Sequence, residues 1–115
     1  METYRIDQQK QACANWTKGI IPDNFLQPVS ASIPTLILTG SFDPVTPPSV
    51  SKEIMKTLSN CQFVEIPYMS HVFDGLSNES CFDNLVIEFL AAPQKKLRSQ
   101  GCIRSMMPPP YKILQ

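Results

Sequence analysis

The sequence has no surplus charge of either sign: ten Lys/Arg offset ten Asp/Glu, for a formal net charge of zero. A nucleic-acid binder normally carries a basic patch and a high pI, so that class of partner is excluded. Charged residues make up only 17% of the chain, below the usual ~25%, while the apolar fraction of 43% is that of an ordinary globular protein. This is not a disordered polyelectrolyte. No apolar run approaches the ~20 residues that a membrane span needs. No C-x-x-C pair occurs, and a single histidine cannot complete a zinc-finger spacing, so a structural zinc site is excluded too. The opening residues, Met1 to Gln8, are polar and lack the apolar stretch of a signal peptide. There is no internal repeat.

What is present is proline, cysteine and two patterned runs. Eleven prolines among 115 residues are about twice average usage and predict many turns. The four cysteines are Cys13, Cys61, Cys81 and Cys102. An even count permits two disulfides in any of three connectivities; the alternative is four reduced, mostly buried thiols. Asn15-Trp16-Thr17 and Asn78-Glu79-Ser80 match the N-glycosylation acceptor pattern. The polar start points to the cytosol, whereas the cysteines point to an oxidising compartment; if the chain is secreted, its signal lies upstream of Met1.

Ile6, Lys10, Cys13 and Trp16 recur at helical spacing, predicting a short amphipathic helix over 4–17 stopped by Gly19. Residues 20–33, with Pro22 and Pro28, read as an irregular connection. Thr35 to Thr39 is a short apolar run closed by Gly40, the pattern of a parallel strand buried on both faces. Thr46 is placed to cap a helix with Pro47 in its first position, and Val50, Ile54 and Leu58 form that helix's inward stripe, ending near Asn60. Gln62 to Ile66 is a second strand stopped by Pro67. Strand, helix and strand in this space predict a parallel βαβ unit with a right-handed crossover. After a loop over 68–79, Ser80 is expected to cap a helix, with Asp83 as the capping-box partner. Phe82, Leu85, Val86, Phe89 and Leu90 supply its apolar stripe, and Pro93 ends it.

In open α/β sheets, ligands collect beyond the carboxyl ends of the strands. Asp43 follows the first strand and His71 the second, so parallel strands carry both to one edge. An aspartate there can accept the Nδ1–H of the imidazole, fix its tautomer and stabilise the imidazolium that forms on proton uptake. Alone, Asp43 before Pro44 is an ordinary turn former and a single histidine an ordinary surface residue. The joint arrangement is what points to chemistry, and the order Asp then His is that of α/β-hydrolases.

Thr35 to Pro48, T-L-I-L-T-G-S-F-D-P-V-T-P-P, resembles the region around the catalytic acid in serine α/β-hydrolases of the tripeptidyl-aminopeptidase type, the S33-like peptidases. Cys13-Ala14-Asn15-Trp16 matches the family's Cys-x-x-Trp pair, and His71, Cys81 and Cys102 match its later histidine and cysteines. The likeness spans roughly residues 12 to 105. It implies the carboxyl-terminal portion of an α/β-hydrolase fold with an incomplete sheet, Asp43 as triad acid, His71 as general base, and a Cys81–Cys102 disulfide. It implies no cofactor and no metal. Cys13 is left to pair outside the chain, and Cys61 has no assigned role. Two departures stand out. Val72 follows the histidine where the family usually has glycine, which would crowd the loop. More important, none of the four glycines frames a serine, so no G-x-S-x-G occurs.

The expected organisation is a lid-end helix and connection over 1–33, the hydrolase region over 34–105, and a proline-rich tail over 106–115. The expected function is the part of a serine peptidase that supplies Asp and His, with the nucleophile on another segment or a complementing chain. Peptide or small acyl substrates then bind only once the N-terminal part is present, and the parent protein belongs in an oxidising compartment. The competing reading is a non-catalytic α/β interaction module whose tail, Pro108-Pro109-Pro110-Tyr111, suits WW-type grooves.

Overall fold

The computed structural model of the chain describes residues 3–111; the first two residues of the expected lid-end segment and residues 112–115 of the tail lie outside them. The elements are α1 (Tyr4–Ala14), β1 (Thr35–Gly40), α2 (Pro48–Met55), β2 (Cys61–Ile66), α3 (Ser80–Ala91) and a 3-10 helix, Ser99–Ser105. β1 and β2 are parallel neighbours in a two-stranded sheet, with Thr35 opposite Cys61 and Gly40 opposite Ile66. The apolar run Leu36-Ile37-Leu38 and the β-rich Phe63-Val64 explain why these segments extend, and Pro67 explains why β2 stops.

The two faces of the sheet differ. Leu36 and Leu38 of β1, with Val64 and Ile66 of β2, face a core completed by Leu85 of α3, Leu97, Ile103 and Met106. On the other face α2 lies over β2, with Lys52 Nζ 3.3 Å from Glu65 Oε2 and 5.7 Å from the Phe63 ring centroid. Such an exposed ion pair contributes little by itself.

Side-chain amides and carboxylates tie the carboxyl-terminal segment to the sheet. Gln62 donates to the Lys95 carbonyl and accepts from the Leu97 N–H, each at 2.9 Å. Glu88 accepts from the Arg98 N–H at 2.8 Å and the Ser99 N–H at 3.1 Å, satisfying donors at the start of the 3-10 helix. These bonds, the Arg98 N–H first, hold the Glu88 carboxyl below the usual carboxylate range.

Cys81 and Cys102 form a disulfide between α3 and the 3-10 helix, with Cα atoms 5.7 Å apart. Closing a loop of sequence separation 21 removes chain entropy from the unfolded state worth about 3 kcal/mol. Cys81→Ser/Cys102→Ser is therefore expected to lower the denaturant midpoint of the chain, and dithiothreitol to lower it equally in the parent. An unchanged midpoint would show that the surrounding core alone holds this segment. Cys13 is exposed and Cys61 half-buried, and both are free thiols; burial pushes the Cys61 thiol up.

Several local expectations need correction. β1 is mostly half-buried rather than buried on both faces, because β2 is its only sheet neighbour among the described residues and one edge stays open. Val50 and Ile54, expected to point inward, are 44% and 49% exposed, because among the described residues no further layer covers that side of α2. The helix at the start ends at Ala14 and buries none of its residues. Thr46 does not cap α2, which starts after Pro47; nor does Ser80 cap α3, its hydroxyl donating to Asn78 Oδ1 at 3.1 Å instead.

The radius of gyration is 19.1 Å, against about 13 Å for a compact domain of this length. Ile20, Ile21, Phe25, Leu26 and Val29 are all exposed. Both facts fit a part of a larger fold, not a closed domain. Among the described residues no helix is long and apolar enough to cross a membrane.

Candidate active site

Asp43 lies in the turn after β1. Its backbone N–H reaches back to the Gly40 carbonyl at 3.2 Å, and its side chain serves as the turn's anchor. Oδ1 accepts from the Val45 N–H at 2.8 Å and the Thr46 N–H at 2.9 Å, while Oδ2 accepts from the Thr46 hydroxyl at 2.7 Å. This is the local bonding that Asp-Pro turns favour. It also explains why Thr46 caps nothing: its hydroxyl is spent on Asp43.

His71 comes from the loop after β2, which the end of β1 holds at very short range. Ser41 N–H donates to the Ile66 carbonyl at 3.0 Å, Phe42 N–H to the Met69 carbonyl at 2.9 Å, and Tyr68 N–H to Ser41 Oγ at 2.9 Å. A Cβ on Gly40 would stand 2.2 Å from the Met69 carbonyl oxygen, so only glycine permits this approach. Tyr68 takes φ 61°, a left-handed conformation that costs a side-chain-bearing residue on the order of 1–3 kcal/mol. Its ring meets Phe42 edge-on, with centroids 5.8 Å apart, so the turn that aims the loop is held by packing as well as by hydrogen bonds.

The two loops bring Asp43 Oδ2 to 3.0 Å from His71 Nδ1, across 28 residues of sequence. Thr46 Oγ1 lies 3.4 Å from the same nitrogen. The carboxylate is 7% exposed and the imidazole 50%, a buried acid beneath a half-open base. Burial opposes ionisation of Asp43, yet the bonds from Thr46 N–H, the Thr46 hydroxyl, His71 and Val45 N–H together outweigh it. They hold the carboxyl far below the usual carboxylate range. Val72 points outward and is exposed, so it leaves the loop uncrowded.

The sequence pattern singled out Asp43 and His71, and the structure brings them together. It did not single out Thr46 as a partner of Asp43, although hydroxyl residues three places after a turn aspartate are a recognisable signal. Gly40 was legible as a strand end but not as a close-approach position. Ser41 and Ser70 lie near the two loops, yet neither stands on a strand-to-helix elbow. An apolar groove of about 630 Å³ lined by Leu26, Pro28, Val29, Ile54 and Leu58 lies at the other end of the unit. Leu58 bridges to Ala31 ahead of the first residue of β1, so this groove belongs to the amino ends of the strands, not to the site. Among the described residues no group of three His, Cys, Asp or Glu side chains is placed to hold a metal ion.

A parallel βαβ unit with an open sheet and a closing helix, carrying a buried carboxylate and a histidine beyond its strand ends, is the carboxyl-terminal portion of an α/β-hydrolase fold. The family model described as TAP-like protein, an abhydrolase family, matches residues 1–102, and the chain belongs to that family. No curated protein and no solved structure matches it.

Proposed function

We propose that this chain supplies the acid and the base of a Ser-Asp-His hydrolase whose nucleophile lies on another segment. Asp43 accepts the Nδ1–H of His71, which keeps the other ring nitrogen free to act as base, and it stabilises the imidazolium that follows proton uptake. His71 takes the proton of the nucleophile's hydroxyl and returns it to the leaving group. The observation that carries this reading is the 3.0 Å contact between a buried carboxylate and a half-exposed imidazole. Membership of the TAP-like family and the tripeptidyl-aminopeptidase resemblance favour a peptide substrate with a free amino terminus, from which a short N-terminal peptide is released.

The nucleophile and both oxyanion donors must then come from the segment, or the separate chain, that completes the sheet. The open edge of β1 and the apolar surface over 20–33 are the surfaces such a segment would cover. Acid and base without a nucleophile give essentially no acyl transfer, because the parts act as a unit. A fluorophosphonate probe is therefore expected to leave the chain alone unlabelled and to label the nucleophile-bearing segment once the two are combined. Labelling of the chain by itself that disappears in His71→Ala would overturn the assignment of the nucleophile elsewhere.

A further inference from the structure

We propose that Asn15 and Asn78 are N-glycan acceptors, and that Asn78 is open to modification only until the 99–107 segment docks. Each asparagine has a hydroxyl residue two places on, Thr17 and Ser80, with no proline between. Both asparagines are exposed. At the second site the hydroxyl already meets the amide, Ser80 Oγ donating to Asn78 Oδ1 at 3.1 Å. Independent of the sequence pattern is the Cys81–Cys102 disulfide, a bond that forms and persists in the oxidising route where such glycans are attached. The transfer joins asparagine Nδ2 to the anomeric carbon of a lipid-pyrophosphate-linked oligosaccharide. The bond from that carbon to the pyrophosphate oxygen breaks, the pyrophosphate leaves with the electron pair, and Nδ2 gives up one of its two protons to a base.

The two sites differ in what folding does to them. Asn15 closes the exposed helix α1, and its Nδ2 makes only a 3.3 Å contact with the Gln11 carbonyl one turn back. It stays open before and after folding. Asn78 sits at φ 55° in a latch built with residues far along the chain. Its Nδ2 donates to Ser105 Oγ at 2.7 Å, Ser77 Oγ donates to the Ser105 carbonyl at 3.0 Å, and Ser77 N–H donates to the Met107 carbonyl at 2.8 Å. The disulfide at Cys102 pins the same segment. Once it closes, the amide nitrogen that must attack the donor is engaged by Ser105 Oγ, so folding competes with modification at Asn78 and not at Asn15.

The test is peptide mapping of the full chain secreted from eukaryotic cells behind a cleavable leader, with glycan-bearing asparagines marked by enzymatic release to aspartate. Asn15 is expected to be occupied throughout and Asn78 only in a fraction of molecules. Cys102→Ser is expected to raise occupancy at Asn78 several-fold while leaving Asn15 unchanged. Ser105→Ala keeps the disulfide and removes the hydroxyl that accepts from Asn78 Nδ2 and donates to the Cys102 carbonyl, each at 2.7 Å; it is expected to raise occupancy as well, so the conclusion does not rest on a variant that fails to fold. Two unmodified asparagines would overturn the acceptor assignment. Occupancy at Asn78 that ignores both variants would overturn the competition with docking.

Discussion

Replacing Gly40 by alanine is expected to pull His71 away from Asp43 and to destabilise the whole βαβ unit. The added Cβ would lie 2.2 Å from the Met69 carbonyl oxygen, 2.5 Å from that of Ser70 and 2.7 Å from the Met69 carbonyl carbon. All three are backbone atoms, so no side-chain rotation relieves the clash. The loop must retreat, and with it goes the 2.9 Å bond from the Phe42 N–H to the Met69 carbonyl. Overpacking of this kind costs about 1–3 kcal/mol, and a displacement of ~1 Å at a catalytic pair lowers rates about 100-fold. Nitrogen-15 spectra of the imidazole report the pair directly, and a denaturant titration reports the fold. An alanine variant with the parent's imidazole spectrum and midpoint would mean that the close approach of β1 to this loop is not what sets the site.

Asp43→Asn is expected to leave the fold nearly intact and to lower turnover of the completed hydrolase about 10⁴-fold. The carboxamide oxygen can still accept from the Val45 and Thr46 N–H groups, as Oδ1 does, so the turn survives. The amide nitrogen then stands where Oδ2 stood, facing His71 Nδ1 at about the 3.0 Å of the parent. It donates where the carboxylate accepted. The imidazole answers by placing its proton on the other nitrogen, which can then no longer act as base. In the chain by itself the same change appears as a reversed tautomer in the nitrogen-15 spectrum. Full turnover in the asparagine variant would remove Asp43 from the proposed set.

The charge on Asp43 also fixes a sign in the acid range. Its carboxyl is held below the value of an unfolded aspartate, near ~3.9, so the folded form favours the ionised state. That contribution to stability is fully present above the unfolded value and is lost as pH falls through the folded one. Acid unfolding of Asp43→Asn should accordingly lose one proton-uptake step relative to the parent.

The elements were legible where a local pattern is enough to form them. Leu36-Ile37-Leu38 between Thr35 and Gly40, and Phe63-Val64 ahead of Pro67, become strands because short apolar runs bounded by turn residues have few other options. The stripe from Phe82 to Phe89 becomes α3 for the same reason. What was misread depends on partners far away in sequence. Thr46 and Ser80 stand at ordinary capping positions, yet each hydroxyl goes to a competing side chain, Asp43 and Asn78. The 3-10 helix over Ser99–Ser105 has no apolar period of its own; it forms where Glu88 satisfies its first N–H groups and Cys81 holds Cys102. Val50 and Ile54 have the right period for a buried face, but the layer that would bury them is not among the described residues.

By itself the sequence determined which two residues were candidates for the chemistry and in what order they stand, because residue type, turn signals and strand ends are local properties. It also determined that no Gly-framed serine is present, since that needs only the glycine positions. Tertiary structure alone decided that Asp43 and His71, 28 residues apart, meet at 3.0 Å. It decided as well that the acid is buried and the base half-open, and that Gly40 is the position where backbone meets backbone. Parallel pairing of β1 with β2 sets those distances, and pairing is a long-range contact that no short window of residues encodes.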